Sequence, residues 1–188
     1  MSSLPLPGLH VQPLPYHDLL PERAAEALQM VVIHCTELPD LAMAREYGER
    51  VLYPSGAGNS GHFYIDRDGS VLQYVAPERV AHHVRGLNAH TVGIELVNTG
   101  RYPDWFDSRH QAMDEPYPEA QLQALEQLLL ALVARYPSLQ QIAGHDQLDR
   151  EQVPASDDPG RQVARKRDPG PLFPWARILA AVPLQPVE

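Results

Sequence analysis

The stretch Met30-Val31-Val32-Ile33-His34-Cys35 decides how the fold of this chain is read. It is a short, continuous apolar run rich in β-branched residues, the pattern of a buried central strand. A polar residue, His34, emerges near its end, and strand termini are where sites commonly sit. Working outward, residues 40–52 read as a helix and Pro54 to Ser60 as a flexible loop. Next, His62-Phe63-Tyr64-Ile65 and Val71-Leu72-Gln73-Tyr74-Val75 flank Asp66-Arg67-Asp68-Gly69, whose Asp-Gly suits the tight turn of a hairpin. Thr91 to Val97 reads as another strand, with Glu95 inside it. Residues 99–117 form a polar and aromatic loop.

Beyond that loop, Pro118 is expected at the first position of a long helix. Leu122, Leu125, Leu129, Leu132, Val133 and Tyr136 share one stripe of that helix, and Pro137 ends it. Gln141-Ile142-Ala143-Gly144-His145 reads as a short strand that delivers His145. Residues 146–171 read as a charged loop punctuated by prolines, and residues 174–182 as a short helix. Upstream, residues 1–28 start proline-rich and turn helical near Pro21-Glu22-Arg23-Ala24, as an arm on the domain. Strands alternate with helices, so the expected fold is α/β: one domain with a central mixed β-sheet flanked by helices. The expected division is an arm over residues 1–28, a domain over 29–182 and a tail over 183–188.

Bulk composition narrows the function classes. A length of 188 residues suits one domain with its own core. A net charge of -9 without a basic run argues against a nucleic-acid binder or a partner of anionic membranes. One cysteine, Cys35, excludes an internal disulfide and fits a reducing compartment. No apolar stretch is long enough to span a bilayer. Met1-Ser2-Ser3-Leu4-Pro5 lacks the basic and apolar regions of a secretory signal. The expectation is a cytoplasmic protein, or a periplasmic one if a leader has been removed. The oligomeric state is not readable from these residues.

Nine histidines are many for this length, and histidine is the commonest protein metal ligand. His34, His145 and Asp168 make a candidate set of two imidazoles and one carboxylate, as catalytic zinc uses with a fourth position open. Each histidine has an alternative reading as a structural residue. Glu95, in Gly93-Ile94-Glu95-Leu96, sits on the strand face opposite Ile94 and Leu96. It either points to solvent or lines a polar cavity, where it would act as a general base. Lys166 stands two residues before Asp168 in Lys166-Arg167-Asp168-Pro169-Gly170-Pro171. It is either a solvated loop lysine or a cation over the site that stabilises an oxyanion. Asp158, in a second Asp158-Pro159-Gly160, rivals Asp168 as ligand, and Glu37 is a further rival whose ordinary reading is surface or capping.

These pieces occur in an order that resembles a known family. They are Val-Val-Ile-His34-Cys-Thr, Ser-Gly-His62-Phe-Tyr-Ile, Asp68-Gly69 with Gln73-Tyr-Val, Asn88 leading to Val-Gly-Ile-Glu95-Leu-Val-Asn98, Ile-Ala-Gly-His145, and Lys166-x-Asp168-Pro-Gly-Pro-Leu-Phe-Pro-Trp. From about Val31 to Trp175 the chain resembles the zinc-dependent N-acetylmuramoyl-L-alanine amidases of the AmpD and AmiD type. These are relatives of phage lysozyme-amidases and peptidoglycan recognition proteins. The resemblance implies zinc held by His34, His145 and Asp168, with Glu95 as catalytic acid/base and Lys166 as transition-state stabiliser. It implies hydrolysis of the amide between N-acetylmuramic acid and L-alanine in peptidoglycan or muropeptides, in cell-wall turnover or recycling. A non-catalytic peptidoglycan-binding module of the same fold is the alternative. His83 and Asn88 are implied as substrate contacts. Ala81-His82-His83-Val84 stands where the family often has Ala-Trp-His-Ala, so His82 replaces a tryptophan. His62 is expected to be structural, and Cys35 an inert thiol turned to the core.

Overall fold

The computed structural model describes Leu4 and residues 6–187, so the ends of the expected arm and tail lie outside the described residues. The strands are β1 (Leu9–Val11), β2 (Met30–Cys35), β3 (Phe63–Ile65), β4 (Val71–Gln73), β5 (Thr91–Leu96), β6 (Gln141–Gly144), β7 (Gln152–Pro154), β8 (Gln162–Ala164) and β9 (Gln185–Pro186). The helices are α1 (Leu41–Glu49), α2 (Glu119–Arg135), α3 (His145–Leu148) and α4 (Trp175–Ala181). One mixed sheet runs β1-β4-β3-β5-β2-β6-β9, and β7-β8 form a separate hairpin. Only β3 and β4 are antiparallel within the large sheet; the other pairs are parallel.

The apolar run 30–35 is β2, paired on both sides with β5 and β6. Side chains alternate across it. Val31, Ile33 and Cys35 join Val92, Ile94, Leu96, Phe63 and Ile65 in the larger core, where Leu122, Leu125, Leu129 and Leu132 of α2 cover them. Ile178 of α4 packs there too. The opposite face carries Tyr64 and Leu72, which cluster with Ala44 of α1 and with Leu38 from the loop before it. His34 and Glu95 project on that second face.

Several expectations need correction. Pro118 is the N-cap of α2, extended at ψ 150°, and its carbonyl accepts from Leu122 N at 3.1 Å. Leu128 is buried in the core although it lay off the expected stripe, while Val133 is only partly buried. Residues 21–24 are not helical; short 3₁₀ turns lie at His17–Leu19 and Ala25–Ala27. Pro21 biases Leu20 to extended backbone, and Arg23 N is tied to Glu78 O at 2.8 Å. The stretch 146–171 is not all loop: it holds α3 and the β7-β8 hairpin. Asp158-Pro159-Gly160 forms part of the hairpin turn, with Gly160 N on Asp158 Oδ1 at 3.0 Å and Arg161 N on Asp158 O at 2.9 Å. Both edges of the large sheet come from near the ends of the chain, β1 from the proline-rich start and β9 from the tail. Among the described residues, no helix is long and apolar enough to cross a membrane.

Candidate active site

His34 and Glu95 are direct register partners near the C-terminal ends of the parallel strands β2 and β5. On β5 the alternation that buries Val92, Ile94 and Leu96 in the large core places Thr91, Gly93 and Glu95 on the other face. The strand β6 stops at Gly144, and His145 opens α3 beside the end of β2. Asp168 arrives from the loop before α4. Its carbonyl accepts from Asp146 N at 2.9 Å, and the Tyr117 hydroxyl donates to Pro169 O at 2.6 Å. Two main-chain anchors thus aim a carboxylate from a distant loop at the sheet.

His34 Nδ1 and His145 Nδ1 lie 2.9 and 3.0 Å from Asp168 Oδ2. All three residues are buried, and a ligand atom from each lies within 4.8 Å of the others. Among the described residues, Asp168 Oδ1 and His145 Nε2 have no hydrogen-bond partner. A buried carboxylate oxygen without a partner is costly. Two imidazoles, a carboxylate and unsatisfied donor atoms therefore fit a catalytic zinc ion. Burial, and then the neighbouring His145, depress His34 to about 4, so its imidazole is neutral near pH 7, as ligation requires. Burial pushes the Asp168 carboxyl up, but charge and hydrogen bonds from His145 and His34 outweigh it and hold it well below the usual range.

Glu95 lies 4.0 Å from His34 Nδ1. Burial, reinforced by the Asp168 carboxylate and partly offset by Lys166, raises its carboxyl to about 8. Gly61 packs against it: a Cβ there would approach Glu95 Cγ to 2.8 Å. Lys166 lines the same cavity, which has a volume of about 650 Å³. His83 and Asn88 line it too. The Asn88 Oδ1 accepts from His83 N and Val84 N at 3.0 and 2.8 Å, which holds the 82–88 loop in place. His82 stands on the rim, edge-on to Tyr53 with ring centres 4.8 Å apart.

The remaining candidates fall elsewhere. Asp158 is exposed at the hairpin turn and is not part of the ligand cluster. Glu37 is neither surface nor cap: it is buried and pairs with Arg101, whose Nε and Nη2 donate to its two oxygens at 2.7 and 2.8 Å. His62 is fully buried, its Nδ1 accepting from Gly93 N at 3.0 Å and its Nε2 lying 3.0 Å from Arg79 O. Cys35 lies in the larger core, and burial raises its thiol well above the usual value.

Comparison with known proteins places the chain in a family. A profile of the family described as N-acetylmuramoyl-L-alanine amidase matches residues 24–171. The chain belongs to the N-acetylmuramoyl-L-alanine amidase family. The 1,6-anhydro-N-acetylmuramyl-L-alanine amidase AmpD of Citrobacter freundii is 28% identical over 192 residues, covering 90% of this chain and 88% of that protein. The N-acetylmuramoyl-L-alanine amidase AmiD of Escherichia coli is 35% identical over 116 residues, covering 57% of this chain and 36% of AmiD. A crystal structure of AmpD superposes with a TM-score of 0.68 at 25% identity, covering 97% of this chain and 98% of that one.

Within this amidase-family site, some residues escaped sequence reading. The Glu37–Arg101 pair was invisible because two residues 64 positions apart carry no local pattern. The positive φ of 49° at Glu37 also has no signature in a glutamate. Thr91 looked like an ordinary strand residue, yet its hydroxyl lies 3.0 Å from His83 Nε2.

Proposed function

We propose that this protein hydrolyses the amide between the N-acetylmuramoyl lactyl group and L-alanine in muropeptides, with zinc held by His34, His145 and Asp168. The observation that carries this reading is one cavity containing the buried two-histidine, one-carboxylate cluster and a protonatable glutamate 4.0 Å from a ligand nitrogen. Family membership supports the reaction class. The name of the Citrobacter freundii relative supports an anhydro-muropeptide as substrate.

When bound, the ion supplies Lewis acidity, polarising the scissile carbonyl and acidifying the attacking water. Glu95, which a cation beside it would favour in its ionised form, would accept the proton of that water. The water oxygen adds to the lactyl carbonyl carbon, and the carbon–nitrogen bond breaks. Glu95 returns the proton to the departing nitrogen of L-alanine. Lys166 lines the cavity and presents a cation to the oxyanion that develops on the carbonyl oxygen. His83, Asn88 and the rim residues Tyr53 and His82 border the space left for sugar and peptide.

The reading is tested by incubating zinc-loaded protein with anhydro-muropeptides and, separately, with intact sacculi, followed by mass spectrometry. Stem peptide beginning with a free L-alanine amine is expected, with Glu95→Gln giving a loss of at least a hundredfold in rate. Binding of muropeptide without release of peptide would instead establish a recognition module.

A further inference from the structure

His83 lies between a proposed metal ligand and strand β5. Its Nδ1 lies 2.9 Å from His34 Nε2, and its Nε2 lies 3.0 Å from Thr91 Oγ1. The Thr91 hydroxyl also reaches Leu87 O at 3.0 Å. The ring fits only because Gly93 has no side chain: a Cβ there would stand 2.6 Å from His83 Nδ1. Thr91, Gly93 and Glu95 are alternate residues of one strand face, so the face that carries the proposed base also carries a seat for His83.

Each hydrogen bond in this chain of groups needs one donor and one acceptor. In the metal-free protein, the ionised Asp168 Oδ2 can only accept, so His34 carries its proton on Nδ1. His34 Nε2 is then bare and accepts from His83 Nδ1–H. His83 Nε2 is bare in turn and accepts the Thr91 hydroxyl. Zinc on His34 Nδ1 forbids that order, because the ligating nitrogen must offer a lone pair. The proton then sits on His34 Nε2 and requires a bare His83 Nδ1. His83 must carry its own proton on Nε2 and donate it to Thr91 Oγ1, and the hydroxyl must turn to Leu87 O.

We propose that His83 and Thr91 are positioning residues that set the tautomer of His34, and that zinc binding reverses the direction of the whole hydrogen-bonded chain. Both orders carry three protons, one each on His34, His83 and Thr91. Neither ring changes charge, and the protons relocate by exchange with water. Partners that orient a ligating histidine govern metal affinity as well as geometry. The inference rests on the zinc reading of His34, His145 and Asp168.

Long-range proton–nitrogen NMR on histidine-labelled wild-type protein reads each tautomer directly, with and without one equivalent of zinc. His83 should change from Nδ1–H to Nε2–H on loading. Thr91→Val leaves His83 Nε2–H without its acceptor, and zinc affinity by chelator competition should fall about tenfold or more. Thr91→Ser should restore it. If wild-type protein bound no zinc one-to-one, the metal reading itself would fail. If zinc bound but His83 stayed Nδ1–H, or Thr91→Val bound it as tightly as wild type, the positioning role would be overturned and the metal site would stand.

Discussion

Replacing Glu95 by glutamine tests the electrostatics of the site in the metal-free protein, before any catalysis. Burial and the Asp168 carboxylate raise the Glu95 carboxyl from its ordinary 4.5 to about 8. Between those pH values the folded state holds a proton that the unfolded chain has already lost. The stabilisation from this proton is fully present below the unfolded value and disappears as pH rises through the folded one. Each tenfold difference in proton affinity is worth about 1.36 kcal/mol, so the loss approaches about 5 kcal/mol at most. Glutamine is neutral throughout and carries no such loss. Urea unfolding with chelator present should therefore show wild type and Glu95→Gln close together near pH 5. By pH 8.5 the variant should be the more stable by several kcal/mol. Adding zinc should narrow that gap, because a cation beside Glu95 favours its charged form. Parallel stability curves from pH 5 to 8.5 would refute the raised proton affinity assigned to Glu95.

Three further outcomes follow from other parts of the structure. Lys166→Met should lower kcat by roughly a hundred- to a thousandfold with a small change in KM, because the cation is assigned to the developing oxyanion; steady-state kinetics on a muropeptide checks this. Arg101→Met leaves the Glu37 carboxylate buried without its partner and should cost about 3–5 kcal/mol in urea unfolding. A Glu37→Leu, Arg101→Met double variant should regain much of that loss. Leu129→Ala opens a cavity under the sheet and should cost about 2–5 kcal/mol, with unchanged activity per folded molecule.

Much of this architecture is legible in the sequence where periodicity and residue chemistry agree. The β-branched run 30–35 became β2 with the expected bounds, and 91–97 became β5 one residue shorter. The Asp-Gly turn marked the β3-β4 hairpin. Where strands have only three residues, as in β1, β7 and β8, periodicity has too little length to register, and proline masked β1 further. The proposed ligands could be named because the motifs around them follow the order of a known family, whereas spacing alone left each histidine a structural reading. Their supports could not. Arg101 donates to Ala164 O at 2.8 Å, and so braces the hairpin that precedes Lys166, through a contact 63 positions distant. Thr91 and Gly93 acquire their importance only from the position of the His83 ring, which tertiary packing alone determines.

The central claim is that water is added across one particular amide bond at the His34–His145–Asp168 centre. Turnover of an anhydro-muropeptide by zinc-loaded protein in oxygen-18 water, read by mass spectrometry, addresses it directly. The account predicts one heavy oxygen in the new lactyl carboxylate and an unlabelled peptide with a free L-alanine amine. Label in a carboxylate within the peptide, or intact substrate after prolonged incubation, would contradict it.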